Sequence, residues 1–376
     1  MRVLHLIHNL DIGGAQVLLR LLVAEQQGSA VEPVVAVWRH DGPLTRELME
    51  AGVAVNVCPP PAAGSPWRTL GWLSGLVARH RPDIVHAHMP DSAFWAGVLT
   101  RRHRVPAVIS YYSSRILFHT IDPDTLYGRL RWAILRWGAR RAAANVACSA
   151  SVQASMQADI GLAADDIDVV VNGVAVPDAD AVRAAQETRA ATRATGRAPT
   201  VVAVGRLFEI KGQDQLVRCA RRLREHVPDA RIVIVGEGPC LEPWRALADE
   251  LGVTDTVTFT GRVEDPAEYL RAADVYVSPS RYEGLSLGLL EAMGWGVPLV
   301  ASRVEGNIDL VRDGVDGVFF PYGDSEALAA AIGAVLADPV GSAARARAAR
   351  ARMTEDFSAA AMCRGYADIY QRIRAV

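Results

Sequence analysis

Short, valine-rich apolar runs recur along the chain, separated by longer stretches whose apolar residues return at helical spacing. A first series comprises Val3–Ile7, Val34–Trp38, Ile84–Ala87, Val108–Ser110, Asn145–Ala147 and Val169–Val171. A second comprises Val201–Val204, Ile232–Val235, Val257–Thr260, Val275–Ser278, Leu299–Ala301 and Gly317–Phe320. These runs do not alternate polar with apolar, the pattern of parallel strands buried on both faces. Between them Gln16–Gln27, Gly212–His226 and Pro243–Glu250 predict helices. Strand–helix repetition predicts an α/β chain of doubly wound parallel sheets.

The two series meet at a seam. Residues 177–197 are rich in Ala, Thr and Arg, with no large apolar residue after Val182, and read as a linker that can hold one solvated helix. The expected domains are therefore 1–176 and 198–355. Residues 356–376 carry Met362, Tyr366, Ile369, Tyr370 and Ile373, a helical stripe that must pack on something.

At 376 residues the chain is long enough for two cores. Its net charge of −2 excludes the strongly basic balance of a dedicated nucleic-acid binder. Of the 40 basic residues only Lys211 is a lysine. Where arginine fills every other such position, a lone lysine marks a place where a compact, flexible ammonium matters; the plain alternative is mutational chance. The five cysteines are scattered without a Cys-x-x-Cys pair, so neither a zinc site nor a disulfide framework is expected, and a reducing compartment is. The start has too short an apolar run for a signal peptide. The longest apolar stretch, Leu285 to Ala301, contains Glu291, three glycines and Pro298 and is not read as membrane-spanning. The expected location is cytoplasmic.

Ligands of open α/β sheets bind beyond the carboxyl ends of the strands, and the distinctive residues follow strands. Gly13-Gly14 stands at a strand-to-helix turn where backbone amides could approach an anion. It is not the Gly-x-Gly-x-x-Gly of dinucleotide binding, and such a turn is also common for structural reasons. Gly205-Arg206 to Lys211-Gly212 puts two cations on one loop, suited to a diphosphate: a planar fork and a point charge. In Ser280–Met293, Glu283 lies in the turn and Glu291 on the following helix, while the amides of Gly284, Leu285, Ser286 and Leu287 point at whatever sits before that helix. Taken singly, surface cations, a capping Glu283 and a salt-bridged Glu291 explain these residues as well.

Taken together they resemble the retaining glycosyltransferases of GT-B fold called family 4. Asn172-Gly173-Val174, Gly236-Glu237-Gly238-Pro239, Gly261-Arg262-Val263 and Gly296-Val297-Pro298 extend the likeness over essentially the whole chain. The resemblance implies two Rossmann-like domains facing across a cleft. The C-terminal domain would bind a nucleotide-diphosphate sugar, as co-substrate and without cofactor or divalent metal. Arg206 and Lys211 would neutralise the leaving diphosphate. Glu291 would hold the ribose. Glu283 would hold the donor sugar with the amides of Gly284 to Leu287. Gly205 belongs to the same loop, Gly13 and Gly14 would contact phosphates, and the backbone at Val263 would face the base. The final helix would pack back on the N-terminal domain. A leaving diphosphate builds negative charge, which fixed cations stabilise.

One departure concerns the N-terminal domain. Family members often carry a His after the strand that here reads Val108-Ile109-Ser110-Tyr111-Tyr112-Ser113-Ser114-Arg115. Tyr112, Ser113 or Arg115 could take that place, or His88 of the preceding strand; His86 and His88 are equally readable as structural. Residues 129–141 are basic and aromatic. Their stripe Leu130, Ile134 and Trp137 reads first as core, and alternatively as a peripheral membrane contact. The expected partners are the donor and a glycan, lipid-linked or small-molecule acceptor, and no nucleic acid. A nucleotide-sugar epimerase of GT-B fold and a non-catalytic nucleotide-sugar-binding module are the alternatives.

Overall fold

The computed structural model describes residues 1–60, 65–113 and 125–375. Thirteen strands are present among these residues: β1 Arg2–Asn9, β2 Glu32–His40, β3 Ala54–Val57, β4 Ile84–His88, β5 Ala107–Tyr111, β6 Ala144–Ala147, β7 Ile167–Val169, β8 Thr200–Val204, β9 Arg231–Val235, β10 Val257–Gly261, β11 Val275–Ser278, β12 Leu299–Ser302 and β13 Val318–Phe320. The first seven form one sheet in the order β3-β2-β1-β4-β5-β6-β7, and the last six another in the order β10-β9-β8-β11-β12-β13. Every pairing is parallel. The expected fold class, two doubly wound parallel-sheet domains of GT-B type, is the one observed. Strand order reverses between β1 and β4, and between β8 and β11, which is where such sheets open a crevice for ligands.

The chain divides into two compact units, 1–173 with 359–376, and 174–358. Strand β3 was not expected from the sequence: it is four residues long, partly exposed and at the sheet edge. An edge strand open to solvent on one side loses the continuous apolar run that betrays a central strand.

The helix allowed for in the expected linker is present, Ala179–Ala194, and falls within the second unit. Asp178 caps it, accepting from the amides of Asp180 and Ala181. Val182 and Ala185 are buried, and Arg189 donates to the carbonyls of Arg271 and Gly296. Side chains this small give little apolar signal, so the sequence shows a polar helix rather than a packed one.

Helix Leu126–Ala139 packs on a different face from the one its apolar stripe predicts. Gly128, Trp132, Leu135, Gly138 and Ala139 are buried, whereas Leu130 is 58% exposed and Ile134 and Trp137 are only half-buried. The cause is close backbone approach at small residues. A Cβ at Gly138 would stand 2.7 Å from the Ala93 carbonyl oxygen of helix Pro90–His103.

The final helix, Ala359–Arg374, belongs to the first unit and buries Met362, Tyr366, Ile369 and Tyr370. Among the described residues no single helix is long and apolar enough to cross a membrane.

Candidate functional site

In the second unit, β8 ends in the loop that carries Arg206 and Lys211. A short turn, Glu209–Lys211, is closed by Gly212 at φ +63°. A Cβ at Gly212 would run into the carbonyl oxygen of Pro279, so glycine alone lets this loop lie on the one after β11. The amide of Arg281 donates to the carbonyl of Ile210 and ties the two loops together.

Lys211 and Glu283 meet there. Lys211 Nζ lies 2.7 and 2.8 Å from Glu283 Oε1 and Oε2. Ser280 Oγ donates to Glu283 Oε1 at 2.6 Å. The Glu283 side chain is 8% exposed and that of Lys211 31%. Behind them Ser302 Oγ donates to the Ser280 carbonyl at 2.6 Å, and the Asn307 amide donates to the Ser302 carbonyl and hydroxyl. Glu283 N donates to the Glu305 carbonyl. Gly306 follows at φ +78°, pressed against the Glu283 backbone. Ser280, Ser302 and Asn307 were not singled out from the sequence. Nothing marks a serine or asparagine as a support until the fold brings it beneath a carboxylate.

The remaining residues flank this pair. Arg206 is exposed and does not share the partner of Lys211; its guanidinium lies over the Phe208 ring, 4.6 Å from the centroid. Gly284, Leu285 and Ser286 are buried and lead into helix Leu287–Gly294, with Ser286 at the N-cap and Leu287 first in the helix. Glu291 is half-buried on that helix. Tyr276 Oη donates to the Val204 carbonyl at the end of β8, at 3.4 Å. Burial, with Glu291 and Glu283 near, pushes the Tyr276 phenol far up and keeps it protonated. Gly205 opens the cationic loop, and Val263 is half-buried just beyond β10.

In the first unit, Gly13 caps helix Gly14–Gln26 in extended conformation. Asn9 Oδ1 accepts from Gln16 Nε2 at 2.7 Å and from the Asp11 amide, bracing the turn at the end of β1. His8 Nδ1 is buried without a partner among the described residues, and burial lowers the His8 pKa. Met89, directly after β4, takes a φ of +71°, a strained value for a residue with a side chain.

His88 is fully buried. Parallel register sets His5 beside His86, and His88 beside Ser110, all on one face of the sheet. A hydrogen-bonded chain follows. Tyr112 Oη lies 2.7 Å from His88 Nδ1, His88 Nε2 is 3.0 Å from His5 Nδ1, and His5 Nε2 is 2.8 Å from Gln26 Oε1. A second chain joins Tyr370 Oη to His86 Nδ1 at 2.6 Å, His86 Nε2 to Ser110 Oγ at 2.8 Å, and Ser110 Oγ to Tyr366 Oη at 2.8 Å. Burial holds His5 down at about 4, and holds His86 and His88 well below the usual imidazole range. The three rings are therefore neutral near pH 7.

Their nitrogens lie within 4.8 Å of one another, as in a metal cluster. Each ring nitrogen already has a hydrogen-bond partner, and those partners are neutral, so none of them would balance a cation's charge. His88, the last residue of β4, is buried beneath the half-buried Tyr112, to which it is hydrogen-bonded. Ser113 is also half-buried. Arg115 lies outside the described residues. Of the three Asp-x-Asp triplets, a spacing able to chelate metal, Asp122-Pro123-Asp124 lies outside the described residues; in the other two Asp168 pairs with Arg372 and Asp178 caps its helix.

These sites belong to a recognisable class, two parallel-sheet units each carrying its distinctive residues at a switch point. Residues 12–176 match the family described as Glycosyltransferase Family 4, and 198–338 match Glycosyl transferases group 1. Over 166 residues the chain is 42% identical to a GDP-mannose-dependent alpha-(1-6)-phosphatidylinositol monomannoside mannosyltransferase of Mycolicibacterium smegmatis, covering 41% of this chain and 43% of that enzyme. It is 33% identical to a glycogen synthase of Mycobacterium tuberculosis, covering 77% of this chain and 69% of the relative. Anabaena HepE, solved with UDP-glucose, superposes with a TM-score of 0.82 at 20% identity over the whole of both chains. The chain belongs to the group 1, family 4 glycosyltransferases and is an enzyme of the hexosyltransferase type.

Proposed function

We propose that the protein transfers a hexosyl group from a nucleotide-diphosphate sugar to an acceptor hydroxyl, with retention of configuration and without a divalent metal. The observation that carries this reading is the ammonium of Lys211 on the carboxylate of Glu283 at the β8/β11 switch point. Breaking a sugar–phosphate bond leaves negative charge on the diphosphate. Lys211 and Arg206 supply positive charge on the loop where that charge develops. Glu283 would accept hydrogen bonds from sugar hydroxyls, Glu291 from the ribose, and the amides of Gly284 to Leu287 would face the donor. Gly13, Gly14 and Val263 keep the donor contacts that the resemblance implies. Tyr112, hydrogen-bonded to His88, would take the sugar-side role that the resemblance leaves open in the first unit. Because the leaving phosphate can itself take the acceptor's proton, no carboxylate pair of glycosidase spacing is required.

The test is a thermal-shift panel of UDP, GDP and ADP with their common sugars, followed by transfer assays with glycan, lipid-linked and small-molecule acceptors. Transfer that requires an acceptor supports the reading. Isomerisation of the donor alone favours an epimerase, and binding without turnover favours a binding module.

A second reading concerns location: cytoplasmic, and peripheral at a membrane through 129–141. Helix Leu126–Ala139 exposes Leu126 at 85%, Tyr127 at 64% and Leu130 at 58%. Residues 126–141 hold five arginines (129, 131, 136, 140 and 141) and no acid. An apolar tip with arginines beside it suits an anionic bilayer surface and would serve a lipid-linked acceptor. Flotation with anionic vesicles, lost in Leu130→Glu and absent with neutral vesicles, tests it.

A further inference from the structure

Lys211 is the only lysine of the chain, and the structure gives its ammonium a carboxylate partner rather than leaving it on the surface. The two members of the pair differ in freedom. Glu283 is nearly buried, its carboxylate takes the Ser280 hydroxyl as well, and its backbone is pinned between the Glu305 carbonyl and Gly306. Lys211 is a third exposed at the end of a flexible stem. The carboxylate is the fixed member, and the ammonium is the one that can move.

A diphosphate held by the Gly205–Gly212 loop would ask for the same ammonium. If Lys211 turned to it, Glu283 would be left as a nearly buried carboxylate short of a cation, which is unfavourable unless other donors replace it. An intact nucleotide sugar brings such donors, the hydroxyls of its sugar. A nucleoside diphosphate lacks that sugar, and its ribose hydroxyls go to Glu291.

Resting on the function proposed above, we propose that Lys211 is a two-position cation and that Glu283 uses it to discriminate donor from product. The carboxylate competes with the nucleoside diphosphate for Lys211, so that the product is held weakly. The same carboxylate is satisfied by the donor's hydroxyls, so that the donor is not penalised. A lysine suits this exchange where an arginine does not. A guanidinium would grip the carboxylate with two parallel bonds and resist release.

The experiment is calorimetric titration of the nucleoside diphosphate, and separately of its sugar conjugate, into wild type, Glu283→Gln, Lys211→Met and the double variant. Folding is checked by circular dichroism. Glu283→Gln is expected to bind the nucleoside diphosphate about 5–10-fold more tightly and the nucleotide sugar more weakly, the net scale of one hydrogen bond. In the Lys211→Met background the tightening should vanish. Tightening of the same size without Lys211 would mean simple repulsion between Glu283 and phosphate, and would overturn the exchange. Unchanged or weaker diphosphate binding in Glu283→Gln would overturn it as well.

Lys211→Arg provides an independent arm that keeps both charges. It should weaken diphosphate binding about 10-fold, and wild-type affinity in that variant would overturn the exchange. Failure of the wild type to bind UDP, GDP or ADP would instead remove the functional reading on which the proposal rests.

Discussion

His86 Nδ1 lies 2.6 Å from the hydroxyl of Tyr370, although 284 positions separate the two residues. This contact, with Tyr366 on Ser110, ties the end of the chain to the middle of the first sheet. Tyr370→Phe keeps the ring and removes only the hydroxyl. It should cost about 1–3 kcal/mol, because a fully buried imidazole nitrogen loses its partner. Thermal unfolding checks this, and an unchanged Tm would show that the bond contributes nothing.

The three buried imidazoles make stability depend on pH with a definite sign. Their folded pKa values lie below the unfolded value of about 6.5, with His5 at about 4 and His86 and His88 also lowered by burial. The unfolded chain therefore binds more protons, and stability falls as pH drops below about 6.5 toward 4. With three such groups the slope approaches about 4 kcal/mol per pH unit near pH 5.5. Urea unfolding at pH 7.5, 6.5 and 5.5 reads it directly. A flat profile would mean that the rings are protonated in the fold.

Lys211→Ala should abolish turnover and also cost about 1–3 kcal/mol of stability, because Glu283 stays nearly buried without its cation. Lys211→Met with Glu283→Gln should recover the stability and not the activity. Denaturant melts and transfer assays on the same preparations separate the two effects.

Glu291→Ala should weaken affinity for the free nucleoside diphosphate about 10-fold, the scale of a charge-assisted contact to the ribose, with little change in Tm. Equal affinity in variant and wild type would remove the ribose role.

Tyr112→Phe should lower kcat while leaving donor binding intact, since the hydroxyl is the end of the Gln26–His5–His88 chain that stands at the strand terminus. His88→Leu should do the same and lose stability too. Full activity in both variants would make the chain purely structural.

The alternation of strands and helices, the parallel sheets, the loops bearing Lys211 and Glu283 and the helix bearing Glu291 are all local in origin. Each follows from residues within a strand's or a turn's length of one another, and the amino-acid order alone conveys them. The His-x-His of β4 likewise puts both rings on one face by the two-residue period of a strand. What covers that face is not local. Gln26, Tyr366 and Tyr370 come from distant helices, and only packing shows that the cluster is neutral and that His88 is hydrogen-bonded to Tyr112. The same holds for the pairing of Lys211 with Glu283 across 72 positions, and for the serines and Asn307 beneath them. It holds too for helix Leu126–Ala139, where glycines let a different face from the apolar stripe go inward. Periodicity reports which residues avoid water. Which of them meet is decided by backbone approach and by the satisfaction of buried polar groups, and both exist only once the chain has folded.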